Sequence, residues 1–226
     1  MNYETQDNIA IIRIDDDKAN VVGHEFLDAI NAALDRAEKE EVGAVVLRGR
    51  DGIFSAGFDL AEFEKGPATG MSMVTKGMQL LIRLYGFPLP LVAACTGHGI
   101  AMGAFIIMAC DSRIGTRGNY KITLPETAIG MELPHTLLEL TASRIPPQFM
   151  TRAAIQAEIF TPDQAITAGF LDEVVDAAQL DTRAQEVATQ LARLPGPAYA
   201  ANKLFVRKKV LAAMAEELDK MIAKMS

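Results

Sequence analysis

Ile9, Ile11, Ile12 and Ile14 form a β-branched run that predicts an opening strand, ended by the acidic turn Asp15-Asp16-Asp17. Over residues 24–41, Phe26, Leu27, Ile30, Leu34 and Ala37 recur at the helical period with charges opposite, which predicts an amphipathic helix. Residues 44–47 read as a second, buried strand before the polar turn Arg48-Gly49-Arg50-Asp51-Gly52. Gly66-Pro67-Ala68-Thr69-Gly70 reads as a mobile surface loop, and a helix is expected over 72–85. Residues 89–95 predict a third strand and 102–109 an almost wholly apolar, hence buried, helix; short strands follow at 113–115 and 120–124. Thr161-Pro162-Asp163-Gln164 carries a capping box with proline at the first helical position, and Gly169 stands where a C-terminal cap belongs. An edge strand over 170–175 and helices over 181–193 and from 197 to the end complete an α/β pattern with a helical C-terminal region.

A length of 226 residues, half of them apolar and 23% charged, suits one large core-forming domain. The net charge of −7 argues against nucleic acid or anionic membranes as partners, since both draw on clustered Lys and Arg. Residues 87–110 carry no formal charge and are long enough to span a bilayer. Pro88, Pro90, Gly97, Gly99 and Gly103 divide that stretch into a strand, a turn and a short helix, so no membrane span is expected. Cys95 and Cys110 sit in apolar surroundings without a partner at metal-ligand spacing, which implies reduced thiols and no metal site. No export signal opens the chain, and a cytoplasmic location is expected.

Two glycine-bearing turns, Ser55-Ala56-Gly57-Phe58-Asp59 and Thr96-Gly97-His98-Gly99-Ile100-Ala101-Met102-Gly103, each follow a strand and open a helix. Helix N-termini leave N–H groups unpaired, so two such turns that converge can form an oxyanion hole. The spacing of Gly97, Gly99 and Gly103 is one residue too long for a dinucleotide fingerprint. Glu126, behind Pro125 and among apolar neighbours, is a candidate proton-transfer group if buried and a solvated glutamate if not. His98 and His135 lack local relay or metal partners and read as structural or pocket-lining. No G-x-S-x-G elbow and no H-E-x-x-H helix is present.

Taken in order, five blocks of this sequence resemble the crotonase, or enoyl-CoA hydratase/isomerase, superfamily: 54–60, 90–97 leading through Gly103 to 109–114, 124–130, 161–165 and 169–175. The resemblance implies a crotonase-like ββα-superhelix (ClpP/crotonase fold), with a core over 1–195 and a helical trimerisation region over 196–226, assembled as a homotrimer or dimer of trimers. It implies an acyl-CoA thioester as substrate, in fatty acid metabolism, with no cofactor beyond the coenzyme A that the substrate carries. By position, the oxyanion N–H groups belong to Phe58 and Met102, and Ala101 and Met102 depart from the family's glycines. Hydratases of the family use two glutamates; here Phe105 stands at the first position and Glu126 at the second. One glutamate beside an oxyanion hole resembles Δ3,Δ2-enoyl-CoA isomerase, as do the runs 83–85 and 120–130. Hydration, thioester hydrolysis, decarboxylation and non-catalytic thioester binding are the alternatives on the same scaffold.

Family positions place Lys18, Ala19 and Asn20 with Ala56 at the adenine, and Gly103 beside the substrate. Phe63, Met78, Phe105 and Leu133 map to the acyl pocket. Lys203, with Arg207, Lys208 and Lys209, is expected to meet the CoA phosphates, as the one dense basic cluster of an acidic chain. Most relatives continue past this C-terminus into another helix that covers the CoA site or a neighbouring subunit.

Overall fold

The computed structural model describes residues 1–224. Strand β1 (Asn2–Gln6), too polar to announce itself in the sequence, pairs antiparallel with β2 (Ile9–Arg13). Asp7 and Asn8 between them both adopt positive φ, the conformation that matches a two-residue loop to the twist of its strands. The chain continues through α1 (His24–Lys39), β3 (Ala44–Arg48), β4 (Gly52–Ser55), α2 (Leu60–Glu64), α3 (Pro67–Gly86), β5 (Leu91–Cys95), β6 (Gly97–Ile100), α4 (Met102–Ala109), β7 (Ser112–Thr116) and β8 (Ile122–Thr123). A 3-10 turn (Glu126–Ile129), α5 (His135–Arg144), α6 (Pro147–Met150), a π-helical turn (Thr151–Ile155), α7 (Pro162–Ala168), β9 (Glu173–Val175), α8 (Leu180–Ala192) and α9 (Gly196–Ala223) follow.

Two sheets share the strands. One runs β1-β2-β3-β5-β7-β9 and is parallel apart from β1; the other, β4-β6-β8, is wholly parallel. Each pass of the chain lays one strand in the large sheet and the next in the small one before a helix returns it: β3 then β4, β5 then β6, β7 then β8. These are the strand-strand-helix turns of a ββα-superhelix. Leu180, Ala184 and Ala188 of α8 cover Ile9, Val46, Val92 and Ile114 on one face of the large sheet, and the main core fills the other. Among the described residues no helix is long and apolar enough to cross a membrane.

Several sequence expectations change. Residues 66–70 are not a loop: Pro67 occupies the first position of α3, where its missing N–H costs nothing, and Gly70 is buried. The glycines of 97–100 form strand β6 rather than a turn, because a Cβ at Gly97 would lie 2.0 Å from the Gly52 carbonyl carbon. The strand expected over 120–124 contracts to Ile122–Thr123. The capping box at Thr161 and the left-handed Gly169 cap are both present, and β9 lies at the sheet edge. Helix α9 packs against α3 and α5 of its own chain and buries Met214 and Leu218. The last two residues of the helix expected to reach the C-terminus, 225 and 226, lie outside the described residues.

Candidate active site

The small sheet gathers the chemistry. Ser55 is in register with Gly99 and Ile100 with Thr123, and all three strands run the same way. Their C-terminal ends therefore deliver Gly57-Phe58, Ala101-Met102 and Pro125-Glu126 to one edge, the place where open parallel sheets bind ligands. The Ala101 N–H donates to the Thr123 carbonyl at 3.0 Å, which extends the β6–β8 ladder to the start of α4.

Two backbone N–H groups lie at this edge, those of Phe58 and Met102. Val22 N–H donates to the Gly57 carbonyl at 2.8 Å and Asp59 N–H to the Val22 carbonyl at 3.2 Å, so the parallel bridge between Val22 and Phe58 turns the Phe58 N–H to the opposite side. Met102 is the first residue of α4, where helix geometry offers its N–H no intrahelical acceptor. The loops that carry them touch. A Cβ at Gly57, whose φ is +98°, would sit 2.8 Å from Ala101 Cβ and 3.5 Å from Met102 N. Gly103 makes room for the first loop: a Cβ there would meet the Ser55 carbonyl oxygen at 2.4 Å.

Ala101 holds φ 50° and ψ −123°, a region close to glycine-only. Relief of that strain outweighs the extra unfolded-state freedom of glycine, so Ala101→Gly is expected to stabilise the fold by about 1 kcal/mol. Thermal unfolding checks it: the expected gain is about 2–4 °C, and an unchanged or lower midpoint contradicts the strain.

Glu126 opens the 3-10 turn behind Pro125 and is 8% exposed. Its Oε2 is buried without a hydrogen-bond partner, and burial, opposed only by its own backbone N–H, pushes the carboxyl up to about 7. That turn is fixed by Met131 N–H donating to the Glu126 carbonyl at 2.9 Å, by the left-handed Gly130, and by the Thr127 hydroxyl donating to the Ala154 carbonyl of the π-helical turn at 3.4 Å. Phe105 and Met78 are fully buried in the core, while Phe63 and Leu133 are half-buried against it. Position 105 is a phenylalanine, so no second carboxylate stands there beside Glu126.

The expected adenine segment comes together. Ala56 N–H donates to the Ala19 carbonyl at 3.0 Å, and Lys18 is exposed beside it. Asn20 is scaffolding: fully buried, it donates to the Ile14 and Phe54 carbonyls at 2.8 and 3.2 Å. Its partner in the loop is Asp16, which accepts the Lys18 and Asn20 N–H groups. The Asp-x-x-x-Asn spacing was the available signal for that loop.

Lys203 departs from expectation. Its side chain is buried, with Nζ 2.6 Å from the Asp111 carboxylate and donating to the Phe87 and Leu89 carbonyls at 2.7 and 3.0 Å. Arg207 stands 2.9 Å from the same carboxylate and donates to the Tyr85 carbonyl. Both cations serve the C-terminal end of α3 and are not free for a phosphate; Lys208 and Lys209 remain exposed. His98 Nδ1 accepts the Lys121 N–H at 3.0 Å and His135 pairs with Glu217 of α9, both structural roles. Among the described residues no group of three or more His, Cys, Asp or Glu is arranged to hold a metal ion.

The chain matches the model of the family described as Enoyl-CoA hydratase/isomerase over residues 4–224. It is 29% identical over 209 residues to the mitochondrial enoyl-CoA delta isomerase 1 of Rattus norvegicus, which covers 91% of this chain and 72% of that protein. Two solved structures superpose closely. A protein of Mycobacterium tuberculosis, described as an enoyl-CoA isomerase in its apo structure and as a probable enoyl-CoA hydratase in another, is 38% identical; the apo structure covers 98% of this chain and 97% of its own, with a TM-score of 0.94. An enoyl-CoA hydratase of Mycobacterium marinum is 37% identical, with 100% and 99% covered and a TM-score of 0.94.

Proposed function

The chain belongs to the enoyl-CoA hydratase/isomerase family, and we propose that within it this protein moves the double bond of a 3-enoyl-CoA into conjugation with its thioester. Its fold is the crotonase ββα-superhelix. The observation that carries the reading is Glu126, a single buried carboxyl with an unpartnered oxygen, in a site where Phe105 occupies the place of a second glutamate.

The ionised Glu126 carboxylate takes a proton from C2 of the substrate. The C–H electron pair becomes the C2–C1 bond of a dienolate, and the carbonyl pair moves to the thioester oxygen, where the Phe58 and Met102 N–H groups hold the charge. The protonated Glu126 then returns the proton to C4: the C3–C4 π pair forms the new C4–H bond, the C1–C2 pair becomes the C2–C3 double bond, and a pair on the thioester oxygen re-forms the carbonyl. No atom is gained or lost, and no water is used. Phe105 can neither orient water nor exchange a proton, which disfavours hydration.

In this reading Lys18, Ala19 and Ala56 border the adenosine part of CoA, and Phe63, Met78, Phe105 and Leu133 the acyl chain. We further propose a cytoplasmic homotrimer or dimer of trimers. The deciding assay supplies a 3-enoyl-CoA and follows the absorbance of the conjugated thioester, with 2-enoyl-CoA in parallel for hydration. Isomerisation should dominate; a 3-hydroxyacyl-CoA as main product, or no turnover, overturns the proposal.

A further inference from the structure

Phe58 and Met102 follow different strands of the small sheet, β4 and β6, yet their side chains meet at one residue of α3. A Cβ at Gly77 would lie 2.6 Å from Phe58 Cζ, 2.7 Å from Phe58 Cε1 and 3.4 Å from Met102 Cε. Gly77 lies well inside a helix of regular hand, so its backbone conformation does not call for glycine. A glycine is disfavoured against alanine in a helix interior, and the one thing it supplies here is space. Two turns earlier on the same face, Gly70 admits the Phe63 ring in the same way, with Cδ1 2.6 Å from a would-be Cβ.

We propose that Gly77 is a positioning residue for the oxyanion hole: by lacking a side chain it seats the Phe58 ring and the Met102 methyl together, and so sets the gap between their two N–H groups. The inference rests on the reading of Phe58 and Met102 as the oxyanion donors. Gly77 itself touches no substrate. A methyl at position 77 would meet the tip of the half-buried Phe58 ring far inside van der Waals distance, with the Met102 methyl 3.4 Å away on the same side. On this proposal the ring does not absorb the whole displacement by turning about its own bonds, and part of it reaches the Phe58 backbone, which is bridged to Val22.

The readout is the enolate absorbance of bound acetoacetyl-CoA, which reports polarisation of the thioester carbonyl without turnover, beside kcat and KM for a 3-enoyl-CoA. Gly77→Ala should weaken the enolate signal and lower kcat about 10- to 100-fold, part of the loss expected for a missing oxyanion donor, with KM within about threefold. Phe58→Leu alone, which unseats the ring from the other side, should weaken the signal too. The two together should restore it, because the added methyl fills the space the shorter side chain leaves. Gly70→Ala makes an equal collision with Phe63, which borders the proposed acyl pocket but carries no oxyanion donor; at saturating acetoacetyl-CoA it should show the wild-type enolate signal whatever it does to affinity.

A Gly77→Ala protein with wild-type signal and kcat overturns the proposal. So does an unchanged signal in Phe58→Leu, which decides the matter even if Gly77→Ala fails to fold. A wild-type protein that isomerises but is indifferent to position 77 removes this inference alone. One that fails to isomerise yet loses its enolate signal on Gly77→Ala removes only the proposed reaction, and one with no enolate signal at all removes both.

Discussion

Glu126→Gln is expected to lower kcat for double-bond migration by about 100- to 10,000-fold with little change in KM, because the amide keeps the shape of the carboxyl and loses its proton transfer. The wild-type pH profile is set by the same group. With the carboxyl pushed up to about 7 by burial, the base form grows in as pH rises. Accordingly kcat/KM should climb tenfold per unit below about pH 7 and level off above it. Stability runs the other way. Folding holds a proton on Glu126 that the unfolded chain releases near its ordinary value of 4.5, so the folded state loses stability between about pH 4.5 and 7 and carries the full cost above. Glu126→Gln should therefore unfold at a higher temperature than wild type at about pH 8 and at a similar one below about pH 4.5. Wild-type turnover in the variant, or a flat wild-type profile between about pH 5 and 8, would show that Glu126 is not the base.

Asp111→Ala is expected to cost about 3–5 kcal/mol of stability, the range for breaking a buried ion pair from one side. The Asp111 carboxylate accepts the Leu91 N–H at 2.8 Å and faces Lys203 and Arg207, whose side chains are 5% and 11% exposed. Arg144 lies in the same cluster, capping α4 through the Met108 and Cys110 carbonyls at 2.8 Å each. Burial, and then its neighbours Arg207 and Arg113, pull its guanidinium down to about 10. Take away the one central carboxylate and the cations are left buried together. Urea unfolding measures the loss. Asp111→Leu combined with Lys203→Met, which removes a charge of each sign, should recover most of it, whereas a loss under about 1 kcal/mol in Asp111→Ala would mean the network is solvated.

Helix α4 was legible to the residue, because an unbroken apolar run between Gly99 and the charged Asp111 has few other readings. The capping box and the Gly169 cap were legible for the same reason: their chemistry is local. Strand β1 was not, since an edge strand with one side chain half-buried leaves no alternating pattern to detect. Residues 66–70 and 97–99 carry turn signals, but Pro67 opens a helix, and Gly70 and Gly97 make room for other elements, the Phe63 ring and the carbonyl of Gly52. Charge misled at Lys203. A lysine one turn from an arginine on a long helix looks like a solvated face, and only the fold brings Asp111 to it. Glu126 could be placed by family position; its burial, which pushes its carboxyl up, goes with the turn after β8 packing against the π-helical turn.

The three parts of the site have a common dependence on the β4-β6-β8 ladder. Phe58, Met102 and Glu126 belong to three successive superhelical turns, and no pair of them is joined by local structure. Each parallel pairing requires the chain to travel out through a helix and back, at the entropic cost of closing a long loop. The candidate site is thus not a module: a fragment shorter than residues 52–126 cannot contain it, and grafting any one of its loops elsewhere transfers a turn without the rest of the site.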